Sequence, residues 1–474
     1  MNVASETYPK FPTLFIHTAI LTAGIAGFSL GAHVAFLIGF DYPLGKGFHA
    51  YVQSHGHIQL VGWTGFFIMG ISLYFLPRLA HYKINISKQV HQIWIMITIG
   101  LILKYISHST LPHIWGKQFT SFVSIGITLS GLMVLIGIFI YLKTIFKIAS
   151  HMKSYKEKPM RNIRIFFFLM MIGWLIYGIG HATLSYLLFS NNQTILLPNW
   201  HLFIVDIFIF LIIIPICFAI GLRAIPLFMR LPAILWNTHL FAQIYSFNII
   251  LYFGLKLAFQ LYENGSVLLP YYHIIGFMKN IIIMWFVYQL NVIFKTKPTW
   301  VEAQKKAKIP HKKTPRLYFP DYGEFGRFEW LIKSAFIWLI FASVLDAYLH
   351  FALFFHLPTE LSRDGIRHAY LVGFTTPLIM GMALRMIPGM TGAMKLTKPH
   401  LVTLLAVLIN FSAFSRIIPT LLPTKLMDIF PNGTKWIMPL FGISGIIGLI
   451  AVWLFYMLMI PVLRTNIVLR KNEV

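Results

Sequence analysis

The chain has 474 residues, of which 57% are apolar and only 11% charged, and it carries a formal net charge of +25. A soluble chain holds roughly 25% charged residues, so this composition excludes a cytosolic enzyme and makes lipid the expected solvent. The single cysteine, Cys217, excludes a disulfide framework, a CxxC zinc site, a cysteine-ligated iron–sulfur cluster and CxxCH haem attachment, which leaves the 19 His as metal donors.

A bilayer span needs about 20 apolar residues. Runs of that length predict twelve helices, near 12–39, 52–77, 90–108, 119–142, 163–190, 200–229, 233–259, 270–294, 330–356, 366–388, 399–421 and 436–463. The first has a polar front end and no small-residue cleavage site, so it is read as a retained helix. Residues 1–474 are expected to form one integral membrane domain, with basic loops near 143–164 and 295–329 on the cytoplasmic side. With the N-terminus inside, the cytoplasmic segments collect 29 of the 39 Lys and Arg. That bias is the positive-inside pattern, so both termini are expected in the cytoplasm and the +25 requires no nucleic-acid partner.

An internal repeat links the second and tenth helices. HIQLVGWTGFFIMGISLYFLP (57–77) and HAYLVGFTTPLIMGMALRMIP (368–388) share ten identities in 21 ungapped positions, including His57/His368, Gly62/Gly373, Gly70/Gly381 and Pro77/Pro388. Limited apolar composition explains shared Leu and Ile, but poorly explains His, two Gly and Pro in one register. The sixth helix ends in GLRAIPLF (221–228), matching ALRMIPGM (383–390), and aligning the prolines sets Asp206 where the other two have His. Helices two, six and ten are thus four apart, which predicts three four-helix units about a pseudo-threefold axis.

The topology places twelve His toward the outer side, among them His33, His55, His57, His108, His181, His201, His273, His350 and His368. Imidazole in hydrocarbon needs a partner, either a neighbouring helix or a metal. Two neutral imidazoles at one depth can take both axial positions of a haem, so His57 and His368 are the candidate ligands. Gly62 and Gly373, each five residues further on, are expected to let the macrocycle approach the backbone.

The strings HGHIQLVGWTGFFIMG, GLRAIPLF and RHAYLVGFTTPLIMGMALRMIPGMTG resemble the NnrS family, bacterial twelve-helix membrane proteins that contain haem and copper and are associated with nitric oxide metabolism and nitrosative stress. They are distantly similar to subunit I of the haem–copper oxidases and nitric oxide reductases, whose helix-two and helix-ten His ligate the low-spin haem; the resemblance carries that role to His57 and His368. It implies a b-type haem, copper, nitric oxide as the small ligand and the bacterial cytoplasmic membrane. The departures are a single His in helix ten, no His-Pro-Glu in helix six and only His239 in helix seven.

The expected fold is therefore all-α, a haem–copper-oxidase-like bundle of twelve spans. The expected function is haem binding in nitric oxide metabolism, with a quinol-linked nitric oxide reductase or oxidase, and a transporter using Asp206, Asp346 and Arg416, as alternatives. Arg416 is the candidate partner of a haem propionate, since a guanidinium fork suits a carboxylate. Copper accepts neutral imidazole from several helices, so His55, His181, His201 and His350 form the pool for a second metal position. His55 lies about 200° around the helix from His57 and cannot readily share its haem face. The scarcity of carboxylates inside helices predicts no proton pumping.

Overall fold

The computed structural model describes residues 7–151, 158–229, 231–232, 234–262, 265–294, 322–422 and 433–471. Residues 152–157 and 295–321 of the two basic loops lie outside the described residues. All regular secondary structure among the described residues is helical. The reason is the solvent: in hydrocarbon a helix satisfies every backbone N–H and C=O within its own segment.

Among the described residues, twelve helices are long and apolar enough to cross a membrane. They are α1 (Thr13–Gly39), α2 (Phe48–Leu79), α3 (Ser87–Ile114), α4 (Thr120–His151), α5 (Ile163–Ser190), α6 (Pro198–Gly221), α7 (Thr238–Leu261), α8 (Gly265–Leu290), α9 (Phe328–Phe354), α10 (Arg363–Thr391), α11 (Leu401–Thr420) and α12 (Lys435–Thr465). Several outrun the apolar runs that predicted them, because polar residues at the ends extend the helix beyond the hydrocarbon. Helix α6 is shorter: a turn follows Gly221, and Pro226 lies in a separate short helix, Ala224–Met229. Asn237 caps α7 by accepting from the Leu240 N–H at 3.0 Å, and Ser362 caps α10 through the Gly365 N–H. Helix α8 stops at Asn291 and α10 at Gly392, both left-handed.

The chain divides into two compact units, residues 1–215 with 448–453, and residues 216–447 with 454–474. In the first, α3 packs on α4 and α4 on α5. Glycines set this close approach: a Cβ on Gly100 of α3 would meet Val134 at 2.7 Å, and one on Gly131 of α4 would meet the Ala182 backbone at 3.1 Å. The opposite face of α3 exposes Ile99, Ile102 and Ile106, a lipid-facing stripe at helical spacing. In the second unit α9 packs on α8 and α10.

Three spans differ from the rest in burial. The most apolar windows of α2, α6 and α10 are 83%, 89% and 78% buried, against 33–50% for the other nine, so these are the inner helices. They are the three linked by the repeat, and each contains a π-helical segment. It begins one residue after His57 (Ile58–Gly65), two after Asp206 (Phe208–Ile213) and one after His368 (Ala369–Thr375). A π segment widens the helix and re-aims nearby side chains, and such segments frequently mark functional positions. Only α1 adds another, Ala23–Gly27, among the described residues.

The repeat glycines serve packing, which corrects the expectation that they open a gap for a macrocycle. A Cβ on Gly62 would sit 2.9 Å from Thr22 Oγ1 of α1, and one on Gly70 3.1 Å from Phe15 Cβ. One on Gly373 would lie 2.8 Å from Trp338 of α9, and one on Gly381 3.0 Å from Leu331 Cβ. In each unit the helix that precedes the repeat leans on both glycines.

Candidate functional site

In the first unit, His57 sits on α2 with 1% of its surface exposed. Its Nδ1 is 2.7 Å from the Tyr177 hydroxyl of α5, and its Nε2 is buried without a hydrogen-bond partner. The His181 ring lies face to face with it, centroids 3.7 Å apart and planes 11° from parallel. Tyr177 and His181 are one helical turn apart on α5, so one side chain orients His57 through Nδ1 while the other covers its face. The in-plane Nε2 lone pair is left open. Both ring nitrogens of His181 are also buried and unbonded.

Helix α3 adds two residues that sequence reasoning did not select. Lys104 is fully buried and its Nζ meets no hydrogen-bond partner. His108, four residues on and equally buried, faces the Thr194 backbone without meeting hydrogen-bond geometry. The only signal available for them was the i, i+4 spacing of two polar residues in an apolar run. Lys104 and His201 both lie within electrostatic range of His57 and His181. His201 and Asp206 of α6 are buried at 8% and 7% exposure. His55 is elsewhere: its Nδ1 is 2.8 Å from the Gly27 carbonyl oxygen and its ring lies against Gly31.

In the second unit, His368 of α10 has its Nδ1 2.8 Å from the Asp364 carbonyl oxygen and 3.3 Å from Asp364 Oδ2. Its Nε2 is 3.4 Å from Arg416 of α11, at the limit of a hydrogen bond. The Arg416 guanidinium lies over the Phe441 ring at 4.3 Å, and its second terminal nitrogen is buried without a partner. In both units the repeat histidine thus has Nδ1 held by an oxygen. Facing a carbonyl, the neutral His368 imidazole donates from Nδ1 and keeps Nε2 as an acceptor, and the Tyr177 hydroxyl can accept the same Nδ1–H bond from His57.

His350 belongs to a separate buried network. Its Nδ1 lies 3.1 Å from His273 Nδ1, and its Nε2 is 3.8 Å from Asp346 Oδ1. Lys279 of α8 donates to Asp346 Oδ2 at 2.8 Å, Asn280 donates to the same oxygen at 3.1 Å, and the Tyr370 hydroxyl donates to Asn280 Oδ1 at 2.9 Å. Asp346 is therefore neutralised by Lys279. The four residues expected to supply copper do not converge. His181 and His201 share one neighbourhood in the first unit, His55 lies apart against Gly27 and Gly31, His350 is engaged in the second unit, and no three His, Cys, Asp or Glu among the described residues are placed to hold one ion.

No known family's sequence profile matches the chain, and no curated protein does. Solved structures do match. One is a haem–copper terminal oxidase, determined as a dimer by cryo-electron microscopy. It superposes with a TM-score of 0.65 at 13% identity, over 96% of this chain and 84% of that one. The chain is thus a multi-span membrane protein with a haem–copper-oxidase-like fold.

Proposed function

We propose that this is a haem-binding membrane protein that handles a small diatomic ligand such as nitric oxide, as members of the NnrS family do. The observation that carries the reading is the shared local geometry of His57 and His368. Each stands immediately before a π segment of an inner helix, with Nδ1 held by an oxygen donor or acceptor and Nε2 directed elsewhere. The fold supports it, since a haem–copper terminal oxidase shares the architecture over nearly the whole chain.

Each repeat histidine, within its own unit, has the chemistry of a haem ligand. The orphaned Nε2 of His57 is a buried lone pair that only a metal or a donor would satisfy. His57 and His368 would hold the iron, and Arg416, with its open nitrogen beside His368, would meet a propionate. Haem supplies one-electron exchange and affinity for diatomic ligands. The chain's contribution would be to orient the His57 imidazole through Tyr177, to set the His368 tautomer through the Asp364 carbonyl, and to exclude water from His57. The four histidines proposed for copper do not converge on one ion among the described residues. A complete quinol-linked reductase or oxidase would require a second metal set beyond the histidines that fit haem.

On this reading the protein lies in a bacterial cytoplasmic membrane; the bias of its basic residues supports both termini inside, which would put both repeat histidines in the outer half of their spans. Detergent-purified protein is expected to show a Soret band and a six-coordinate low-spin spectrum, which His57→Ala and His368→Ala each abolish. A low-spin spectrum retained in both variants overturns the ligand assignment, and the absence of any Soret band favours transport.

A further inference from the structure

The first unit holds a concentration of unpaired polar atoms that haem ligation by His57 does not absorb. Lys104 Nζ and both ring nitrogens of His181 are buried and without hydrogen bonds, and beside them is His108, whose ring faces the Thr194 backbone. Native interiors leave few such atoms, and a group of them points to an occupant that satisfies several at once.

The helix contacts set Lys104, His57 and His181 near one level, with His108 beyond them. Helix α2 runs from the outer side inward and α3 returns, and they touch where a Cβ on Gly62 would meet Leu101 at 3.3 Å. One turn outward from that contact lie His57 on α2 and Lys104 on α3, with His108 one turn further. Helix α5 brings His181 onto the His57 ring. Lys104 lies within electrostatic range of His57, His108 and His181.

We propose that Lys104, flanked by His108 and His181, binds a compact oxygen-bearing monoanion within the first unit. The donor set decides the sign of the ligand. An ammonium presents three N–H donors and the neutral His181 imidazole one, while the His108 ring, turned to the Thr194 backbone, borders the site. A metal cation beside Lys104 would face the ammonium, and these imidazoles do not converge on one ion. An anion with two or more acceptor oxygens satisfies the ammonium and the His181 imidazole together. The glycine-mediated approach of α3 to α4, seen again where a Cβ on Gly126 would strike Ser107, favours a ligand of few atoms. Two sources share this chemistry: a free inorganic or small organic anion, and a carboxylate arm of a bound porphyrin. The porphyrin source rests on the haem reading, whereas the free-anion source does not.

The test uses the full chain in detergent with nitrite and formate as probes, and chloride at matched ionic strength as control. The readouts are the thermal unfolding midpoint, haem per chain, copper per chain and an infrared difference spectrum with isotope-labelled nitrite. If the source is free, nitrite or formate raises the midpoint saturably and gives a bound-anion band where chloride does not. Lys104→Met then weakens the apparent affinity about tenfold or more, and Lys104→Arg retains it. If the source is the porphyrin, wild type shows no such response, Lys104→Met lowers haem occupancy, and Lys104→Arg restores it. Lys104→Gln replaces the Met variant if that one fails to accumulate. A wild-type chain with no anion response, together with haem occupancy unchanged in whichever neutral variant folds, overturns the proposal. Stoichiometric copper that is lost in His108→Ala and His181→Ala and kept in Lys104→Met overturns it in favour of a metal. A chain found without haem that still responds to nitrite through Lys104 sinks the haem reading and leaves this one standing.

Discussion

At the scale of single residues, the Tyr177 hydroxyl controls what His57 can do. Its 2.7 Å contact with Nδ1 fixes the orientation of the imidazole, and both groups are buried. Tyr177→Phe removes the partner with almost no change in volume, leaving a buried ring nitrogen unsatisfied at a cost of about 1–3 kcal/mol. Haem affinity should fall about 10- to 100-fold, the usual penalty for losing the group that orients a metal ligand, with the low-spin bands shifted but not abolished. A haem titration of the variant checks this, and wild-type affinity would show that Tyr177 is only packing. In the other unit the Lys279 and Asp346 pair tests a different physics. Asp346→Asn leaves the fully buried Lys279 ammonium without its counter-charge, and breaking such a pair costs about 3–5 kcal/mol. The Lys279→Met, Asp346→Leu double variant should recover most of that loss, because the desolvation of both charges disappears together. Thermal unfolding of the three chains measures it, and a double variant no more stable than Asp346→Asn contradicts the argument.

At the scale of helices, the repeat was legible in the sequence because His, Gly and Pro in one register are costly coincidences in lipid. What each position faces was not legible. A shared Gly says that something approaches closely, and a sequence cannot say whether that is a cofactor or the preceding helix. The structure puts Thr22 and Leu101 against Gly62, and Trp338 against Gly373. The π segments were invisible because they are set by how one residue too many is accommodated within a turn, and the local composition of α2, α6 and α10 does not announce it. Lys104 and Lys279 were missed for another reason. An isolated Lys in an apolar run reads as a snorkelling side chain, and only the neighbouring helices show that both are fully buried. Packing at the repeat can be tested directly. Gly62→Ala places a methyl within 2.9 Å of Thr22 Oγ1, so overpacking should destabilise the chain by about 1–3 kcal/mol. Gly56→Ala, one residue before His57, meets no atom within 4 Å and should be neutral or slightly stabilising. Equal unfolding midpoints for the two variants would show that α1 does not lean on Gly62.

For the whole molecule, the distribution of charge predicts an orientation. Seven Lys and Arg lie between 143 and 164 and ten between 295 and 333, separated by four spans, α5 to α8. An even number of crossings keeps both groups on one side. If one of those four helices failed to cross, seven basic residues and ten would face opposite compartments, and the positive-inside bias would vanish. If α1 failed to cross, every later loop would exchange sides and the 29 would fall outside. The twelve helices of sufficient length and hydropathy in the structure are the twelve that the charge pattern requires. Orientation follows from introduced cysteines on a Cys217→Ser background. Lys83→Cys, in the connection from α2 to α3, should react with a membrane-impermeant maleimide only in inverted vesicles. Gln193→Cys, between α5 and α6, should react only in right-side-out spheroplasts. The opposite labelling would invert the topology and place His57, His368 and Lys104 in the cytoplasmic half. An anion or diatomic ligand from the cell exterior would then reach them only by crossing the greater part of the bilayer, so this measurement bears on the site as much as on the fold.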